Sequence, residues 1–320
     1  MTPTLVFIHG SWHTASCFDK LTTHLQTTHH LPSVSVSLPS NSGDPNLGID
    51  ADISAARAAI TAETNRGRDV IVVVHSFGGV VGCSAIKGLA GRPRSDTIPG
   101  STTDQGEEGK EGHVIGLIAI TTGFPLTGVA FMAPLLGLPL PFFRINHTTG
   151  FADLTASPYS LFYHDITPRS EADYWVSQLR PQSLKALYEG GEYVYAGWRE
   201  MTGGRVWYVS GGDDRAMPPV GQRVVVGLAR GMGVGVEFRE IGGAGHSVFL
   251  SRVEETAGVV VEAVEAFTGR EVGEFGGTVV VGGVRWVRPW SWVKYGLPMG
   301  FGWVVGRGLL GWEWLRGLWR

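Results

Sequence analysis

The sequence predicts an α/β fold: a mostly parallel sheet of about six strands flanked by helices, with an inserted helical cap. Three observations predict it. Val70-Ile71-Val72-Val73-Val74 is an unbroken β-branched run, the pattern of a central strand covered on both faces. Short apolar runs of this kind alternate with amphipathic stretches, and strand–helix–strand order implies right-handed crossovers and parallel pairing. A proline-punctuated, aromatic-rich interval then interrupts the alternation before it resumes.

Taken in order, Thr4-Leu5-Val6-Phe7-Ile8-His9 reads as a buried strand ended by Gly10, followed by an amphipathic stretch over 15–28. Val34, Val36 and Leu38 alternate with serines as a second strand, and Pro39-Ser40-Asn41-Ser42-Gly43-Asp44-Pro45 carries turn chemistry. Residues 50–66, rich in Ala and Ile, read as a helix stopped by Gly67. The central strand follows, with a helical pattern over 77–89 behind it. Residues 91–111 are polar, rich in Gly and Pro and without periodicity, which predicts a surface loop. Residues 114–121 restore the sheet.

From Pro134 onward, Pro139, Pro141, Pro158, Pro168 and Pro181 separate short aromatic-rich helical pieces, and no strand pattern returns before Arg205-Val206-Trp207-Tyr208-Val209-Ser210. The core is therefore expected over 1–133 and 204–269, and a helical cap over 134–203. A helix over 216–229, a strand over 234–241 and a long closing helix over 247–267 complete the reading.

The 320 residues suffice for one large α/β domain with an insertion. A net charge of −3 gives no reason to expect a nucleic-acid partner. Met1-Thr2-Pro3-Thr4 runs straight into a strand without a basic segment or cleavage site, so a cytoplasmic location is expected. Cys17 and Cys83 fall in apolar helical patterns and read as small buried hydrophobes. No ligand spacing suggests a metal, since adjacent His29 and His30 cannot face one ion together, and no glycine loop suits a phosphate. The expected partner is a small-molecule substrate, with no cofactor.

The chemistry centres on Val74-His75-Ser76-Phe77-Gly78-Gly79, where a buried strand passes into a helix with no room for a loop. Such a pivot sits in a strained backbone region, which lifts its side chain clear of the sheet. The N–H groups opening the helix point the same way, toward any negative charge that develops there. Ser76 is therefore a candidate nucleophile, with Val74 standing where the G-x-S-x-G motif has its first glycine. Strand 206–210 is followed by Gly211-Gly212-Asp213-Asp214, and strand 234–241 by Gly242-Gly243-Ala244-Gly245-His246. Serine, acid and histidine thus fall in chain order at the carboxyl ends of strands. There a neutral imidazole takes the serine proton and an acid orients it. Asp214 is the preferred acid over its neighbour Asp213. The backbone N–H groups of Ser11 and Phe77 are the expected oxyanion donors. His9 and His75 are assigned to structure.

His9-Gly10-Ser11-Trp12-His13, Val74-His75-Ser76-Phe77-Gly78-Gly79, Asp214-Arg215-Ala216-Met217-Pro218 and Gly245-His246-Ser247 resemble the α/β-hydrolase superfamily. The resemblance is to its compact branch, which contains plant methylesterases and hydroxynitrile lyases, through fungal relatives. Phe162-Tyr163-His164-Asp165-Ile166 and Tyr174-Trp175-Val176-Ser177-Gln178-Leu179-Arg180-Pro181-Gln182-Ser183 are similar to the cap of those fungal proteins, and the likeness spans residues 4–268. It implies an α/β-hydrolase fold with Ser76 as nucleophile, His246 as base, Asp214 as orienting acid, and Ser11 and Phe77 at the oxyanion. The implied activity is that of a serine esterase cleaving a small apolar ester through an acyl-enzyme. A lyase or C–C hydrolase using the same triad, or a non-catalytic ligand-binding relative, are the alternatives. Trp12, Phe162, Tyr163, Trp175 and Trp198 are candidates to line an apolar substrate pocket.

Residues 270–320 lie beyond what this fold requires. Seven of the eleven tryptophans are here: Trp286, Trp290, Trp292, Trp303, Trp312, Trp314 and Trp319. The absence of a periodic apolar face predicts a poorly ordered tail. Its aromatic and basic residues also fit a weak membrane-surface contact through 285–320. Pro298, Arg307 and many glycines argue against a spanning helix.

Overall fold

The computed structural model describes residues 2–93, 111–272 and 288–318. The chain opens with β1 (Thr4–Ile8) and passes through a 3-10 turn into α1 (Asp19–His29). β2 (Ser33–Val36), α2 (Ile49–Thr64), β3 (Val70–His75), α3 (Gly78–Ala85) and β4 (Val114–Ile120) follow. Next come β5 (Phe143–Asn146), β6 (Phe151–Leu154), α4 (Arg169–Ser177), β7 (Gln182–Ser183) and α5 (Leu184–Tyr188). β8 (Val206–Gly211), α6 (Pro219–Gly231), β9 (Val236–Ile241), α7 (Val248–Ser251) and α8 (Val253–Thr268) return to the main layer. Beyond them lie α9 (Pro289–Ser291), a π-helical turn (Trp292–Gly296) and α10 (Leu297–Leu318).

The β-branched run of β3 takes the central place expected of it. β3 pairs with β1 on one side and β4 on the other, and all its residues are buried. The sheet has six strands in the order β2-β1-β3-β4-β8-β9, every neighbouring pair parallel, with helices flanking it. This is the α/β-hydrolase fold. The order reverses at β1 and β3, so the carboxyl ends of β1, β3, β4, β8 and β9 open along one edge, where a crevice forms.

The interval between β4 and β8 differs from the expected purely helical cap. It holds a three-stranded antiparallel sheet, β5-β6-β7, with Arg144 opposite Asp153. Asn146-His147-Thr148-Thr149-Gly150 makes the hairpin: Asn146 Oδ1 accepts from Thr148 and Thr149 N–H, and Gly150 takes a left-handed φ of 76°. That is ordinary Asx-turn chemistry. The strands are four residues or fewer, too short for their period to stand out. The closing helix is also broken, at Arg252 between α7 and α8. Most of the loop expected over 91–111 lies outside the described residues.

The expectation of a poorly ordered tail does not hold for residues 289–318, which are helical; residues 273–287 and 319–320 lie outside the described residues. Glycines account for the difference. α10 packs backbone-close on α6: a Cβ at Gly227 would collide with Met299 O, and one at Gly231 with Trp303 O. Reciprocally, a Cβ at Gly302 would meet Val224 O and one at Gly306 Leu228 O. Two pairs of glycines spaced by four thus interleave, the geometry that lets helix axes approach closely. Ahead of α10, Tyr295 Oη donates to Glu240 Oε1 at 2.9 Å and Lys294 Nζ sits 2.9 Å from the same oxygen. Arg223 holds the other carboxylate oxygen at 2.7 Å, so tail, α6 and β9 share one buried ionic network.

Candidate active site

Ser76 directly follows β3 with φ 51°, left-handed for a non-glycine residue. Its neighbours must be small for the turn to close. A Cβ at Gly10 would stand 2.7 Å from Ser76 Cβ, one at Gly78 would strike Ile8 O, and one at Gly79 would strike Thr122 Oγ1. Thr122 Oγ1 donates to Ser76 O, and Ser76 N–H donates to Ile120 O at 3.3 Å, tying the pivot to the end of β4. The hydroxyl does not cap α3, whose cap position is Phe77. Val74, in place of the usual glycine, is fully buried and packs into the space left by Gly82 of α3.

Beyond β9, the turn places His246 so that Nδ1 lies 2.8 Å from Asp214 Oδ2. Asp214 is itself fixed: Oδ1 accepts the N–H groups of Ala216 and Met217 at 2.8 Å each, and Oδ2 also accepts from Gln222 Nε2 at 2.9 Å. Its three donors and the imidazole leave no doubt about which of the two neighbouring acids faces inward. Asp213 is exposed, with Oδ2 3.1 Å from His164 Nε2. Thr121 Oγ1 donates to His246 O at 3.0 Å, so the end of β4 braces both the serine and the histidine.

The insertion grips the same loop. Asp165 Oδ2 accepts Gly245 N–H at 2.7 Å, one residue before His246. The Phe162 ring lies 5.7 Å from the His246 ring, and His164 reaches Asp213. A side chain at Gly245 would collide with Asp165, so the glycine is needed for this approach.

A cavity of about 380 Å³ opens over Ser76 and His246, lined mainly by Trp12, Phe131, Leu140, Phe142, Phe143 and Phe162. Ser11, Thr121, Thr122 and Met217 complete the polar end and one wall. Of the pocket candidates, Trp12 and Phe162 line it. Tyr163, Trp175 and Trp198 do not. Trp198 is fully buried with Nε1 donating to Pro125 O at 2.7 Å, Tyr163 packs edge-on against His13, and Trp175 Nε1 donates to Glu171. These aromatics serve the core, the commoner use of aromatics at helical spacing. Phe131, Phe142 and Phe143 were missed because they come from loop and strand segments without a helical period. Trp12, Ser76 and Thr121 all have left-handed φ values, 62°, 51° and 42°, and all three line the cavity. Strain of this kind persists where surrounding structure enforces it, and it concentrates at functional sites.

Three other histidines lie beneath the site. His9 Nδ1 is 2.9 Å from Gly10 O and its Nε2 accepts Leu38 N–H, so its tautomer is set by backbone; burial lowers its pKa to about 4. His13 Nδ1 is 2.8 Å from Ser11 O, and burial lowers its pKa to about 3. His75 packs 4.7 Å from the His246 ring, and burial holds its pKa well below the usual value. All three are neutral scaffolding, in keeping with the roles assigned to His9 and His75. His13 shapes the Ser11 loop directly.

Residues 5–259 match the model of a family described as the alpha/beta hydrolase family. The alpha/beta hydrolase nvfD of Aspergillus novofumigatus is 26% identical over 224 residues, covering 68% of this chain and 80% of that protein. Among solved structures, an Arabidopsis methylesterase superposes with a TM-score of 0.58 at 16% identity, over 83% of this chain and 100% of that one. Tomato methylketone synthase I complexed with 2-tridecanone gives a TM-score of 0.63 at 13% identity, over 83% and 99%.

Proposed function

The chain belongs to the alpha/beta hydrolase family, and on that premise we propose that it is a serine esterase cleaving a small apolar ester through an acyl-enzyme on Ser76. The observation that carries this reading is the convergence of three strained residues, Trp12, Ser76 and Thr121, on a cavity that also receives His246. Strain is costly, and a packed core has no use for a hydroxyl raised into an apolar space.

The Asp214–His246 contact supports the following chemistry. Asp214 accepts the Nδ1 proton of His246, which leaves Nε2 as the basic nitrogen facing the cavity. Ser76 Oγ attacks the ester carbonyl as its proton passes to Nε2, and the oxyanion is held by the N–H groups of Ser11 and Phe77. His246 then returns the proton to the leaving alcohol. Water, deprotonated by the same nitrogen, hydrolyses the acyl-enzyme. The aromatic and aliphatic lining, with no charged side chain other than the catalytic imidazole when protonated, favours uncharged acyl and alkyl groups. The likeness to a methylesterase supports an ester as the substrate class.

The test is stopped-flow hydrolysis of p-nitrophenyl acetate, butyrate and octanoate by wild type and Ser76→Ala. The reading expects a burst of nitrophenolate near one equivalent of enzyme, absent from Ser76→Ala. Ester turnover that survives in Ser76→Ala would remove the acyl-enzyme from the reading. Folded wild type no faster than Ser76→Ala on every ester would rule the esterase out.

A further inference from the structure

We propose that the outward face of α10 docks the protein onto an anionic lipid bilayer. α10 uses its glycine side against α6, through Gly302 and Gly306. The helical repeat puts Leu297, Phe301, Val304, Gly308, Trp312 and Leu315 on the opposite side. The large residues among them are between 45% and 67% exposed, an apolar stripe of about 27 Å with Gly308 near its middle. A helix on the outside of a globular protein ordinarily turns its polar face to water. This one turns its apolar face outward.

The charges say what covers the stripe. Arg307 and Arg316 leave the helix on opposite flanks of it, and Trp303 and Trp314 stand beside the Arg307 flank. Arginines that snorkel from both edges of an apolar face, with tryptophans at the same height, are the arrangement of a helix lying in the plane of a lipid interface. The one acid of α10, Glu313, is turned back to the protein, with both carboxylate oxygens 3.1 Å from Arg199 Nη1. The outward surface of the helix therefore carries cations and no anion, which complements phosphate headgroups. A second copy would fit poorly, because symmetric pairing of two such faces would set arginine flank against arginine flank with no acid between them. Among the described residues no helix is long and apolar enough to cross a membrane. With one side committed to α6, α10 lies on the bilayer and does not span it.

The experiment is flotation of the full chain with vesicles of phosphatidylcholine alone and of phosphatidylcholine with phosphatidylserine, at low and high salt. Two variants accompany it: Phe301→Ser with Trp312→Ser and Leu315→Ser, and Arg307→Glu with Arg316→Glu. Matching thermal melts establish that both fold like wild type. Wild type is expected to float with the phosphatidylserine vesicles, less so at high salt. The apolar variant should lose about tenfold or more in partitioning, and the arginine variant should lose the preference for phosphatidylserine. Wild type that stays at the bottom of both gradients overturns the proposal, as does an apolar variant that floats undiminished. Equal flotation with both vesicle types, unchanged by the arginine variant, overturns the anionic specificity. A concentration-dependent dimer disrupted by the apolar variant, without flotation, would assign the face to a second copy instead.

Discussion

A methyl of Val74 occupies the space that a side chain at position 82 would need: a Cβ built on Gly82 would overlap Val74 Cγ1. The strand-to-helix elbow requires close packing between the residue two before the serine and the helix that follows. The familiar solution puts the small residue on the strand. Here the strand carries the bulk and α3 carries the glycine.

The exchange predicts a coupled pair. Gly82→Ala should destabilise the fold by about 1–3 kcal/mol through overpacking. Adding Val74→Ala should recover at least half of that loss, with an interaction energy outside the additive range. Urea unfolding of the two single variants and the double measures it. Strict additivity would show that the two side chains do not compete for one space.

Asp214 and Asp213 are adjacent in sequence but differ in surroundings, and their asparagine variants should separate. Asp214→Asn should lower esterase turnover by roughly three to four orders of magnitude, because an amide facing Nδ1 favours the wrong tautomer of His246. Asp213→Asn should cost less than about tenfold, since its partner His164 lies outside the cavity. Steady-state kinetics on one ester checks both. A reversed order would move the orienting role to Asp213.

Asp165 touches no lining residue's reacting atoms, yet it holds the N–H of Gly245 next to His246. Asp165→Ala should lower kcat by about ten- to a hundredfold through misplacement of the imidazole, with KM little changed. Asp165→Asn keeps an acceptor oxygen and should restore most of the rate. A loss seen equally in both variants, or only in KM, would remove the positioning role.

The buried histidines set the acid limit of stability. His9 and His13 have folded pKa values near 4 and 3, below the unfolded value of about 6.5. As pH falls from about 6.5, the unfolded chain gains protons that the folded protein refuses, so stability declines down to those folded values. For His9 alone the loss approaches about 3 kcal/mol by pH 4. Asp52 acts in the opposite sense, because burial raises its pKa to about 6 and its contribution falls as pH rises through that range. Three neutral imidazoles, including His75, outweigh one carboxyl. Unfolding midpoints should therefore drop steeply between pH 7 and pH 5; a flat profile would contradict the neutral assignment.

The sheet was legible because its signals are local. Five β-branched residues in a row read as a buried strand without any tertiary knowledge, and Ser76 follows it, while Asp214 and His246 follow the shorter apolar patterns of β8 and β9. Ser11 on the first loop lines the cavity, whereas the identity of its other walls depended on the insertion. β5, β6 and β7 are too short to show a period. Phe142 and Phe143 reach the cavity from a hairpin whose position is set by tertiary contacts, and Thr121 matters through its φ and its bond to His246, neither visible in a residue type. The tail misled for a specific reason: the face that α10 buries on α6 is made of glycines, while its large apolar residues at helical spacing stand exposed on the other side.

The central claim is that Ser76 is an activated nucleophile. Labelling with a fluorophosphonate probe followed by peptide mass analysis tests it most directly. The account predicts a single adduct on Ser76 in wild type, none in Ser76→Ala, and strongly slowed labelling in His246→Ala. Folded wild-type protein that resists the probe, or carries the adduct at another residue, would contradict it.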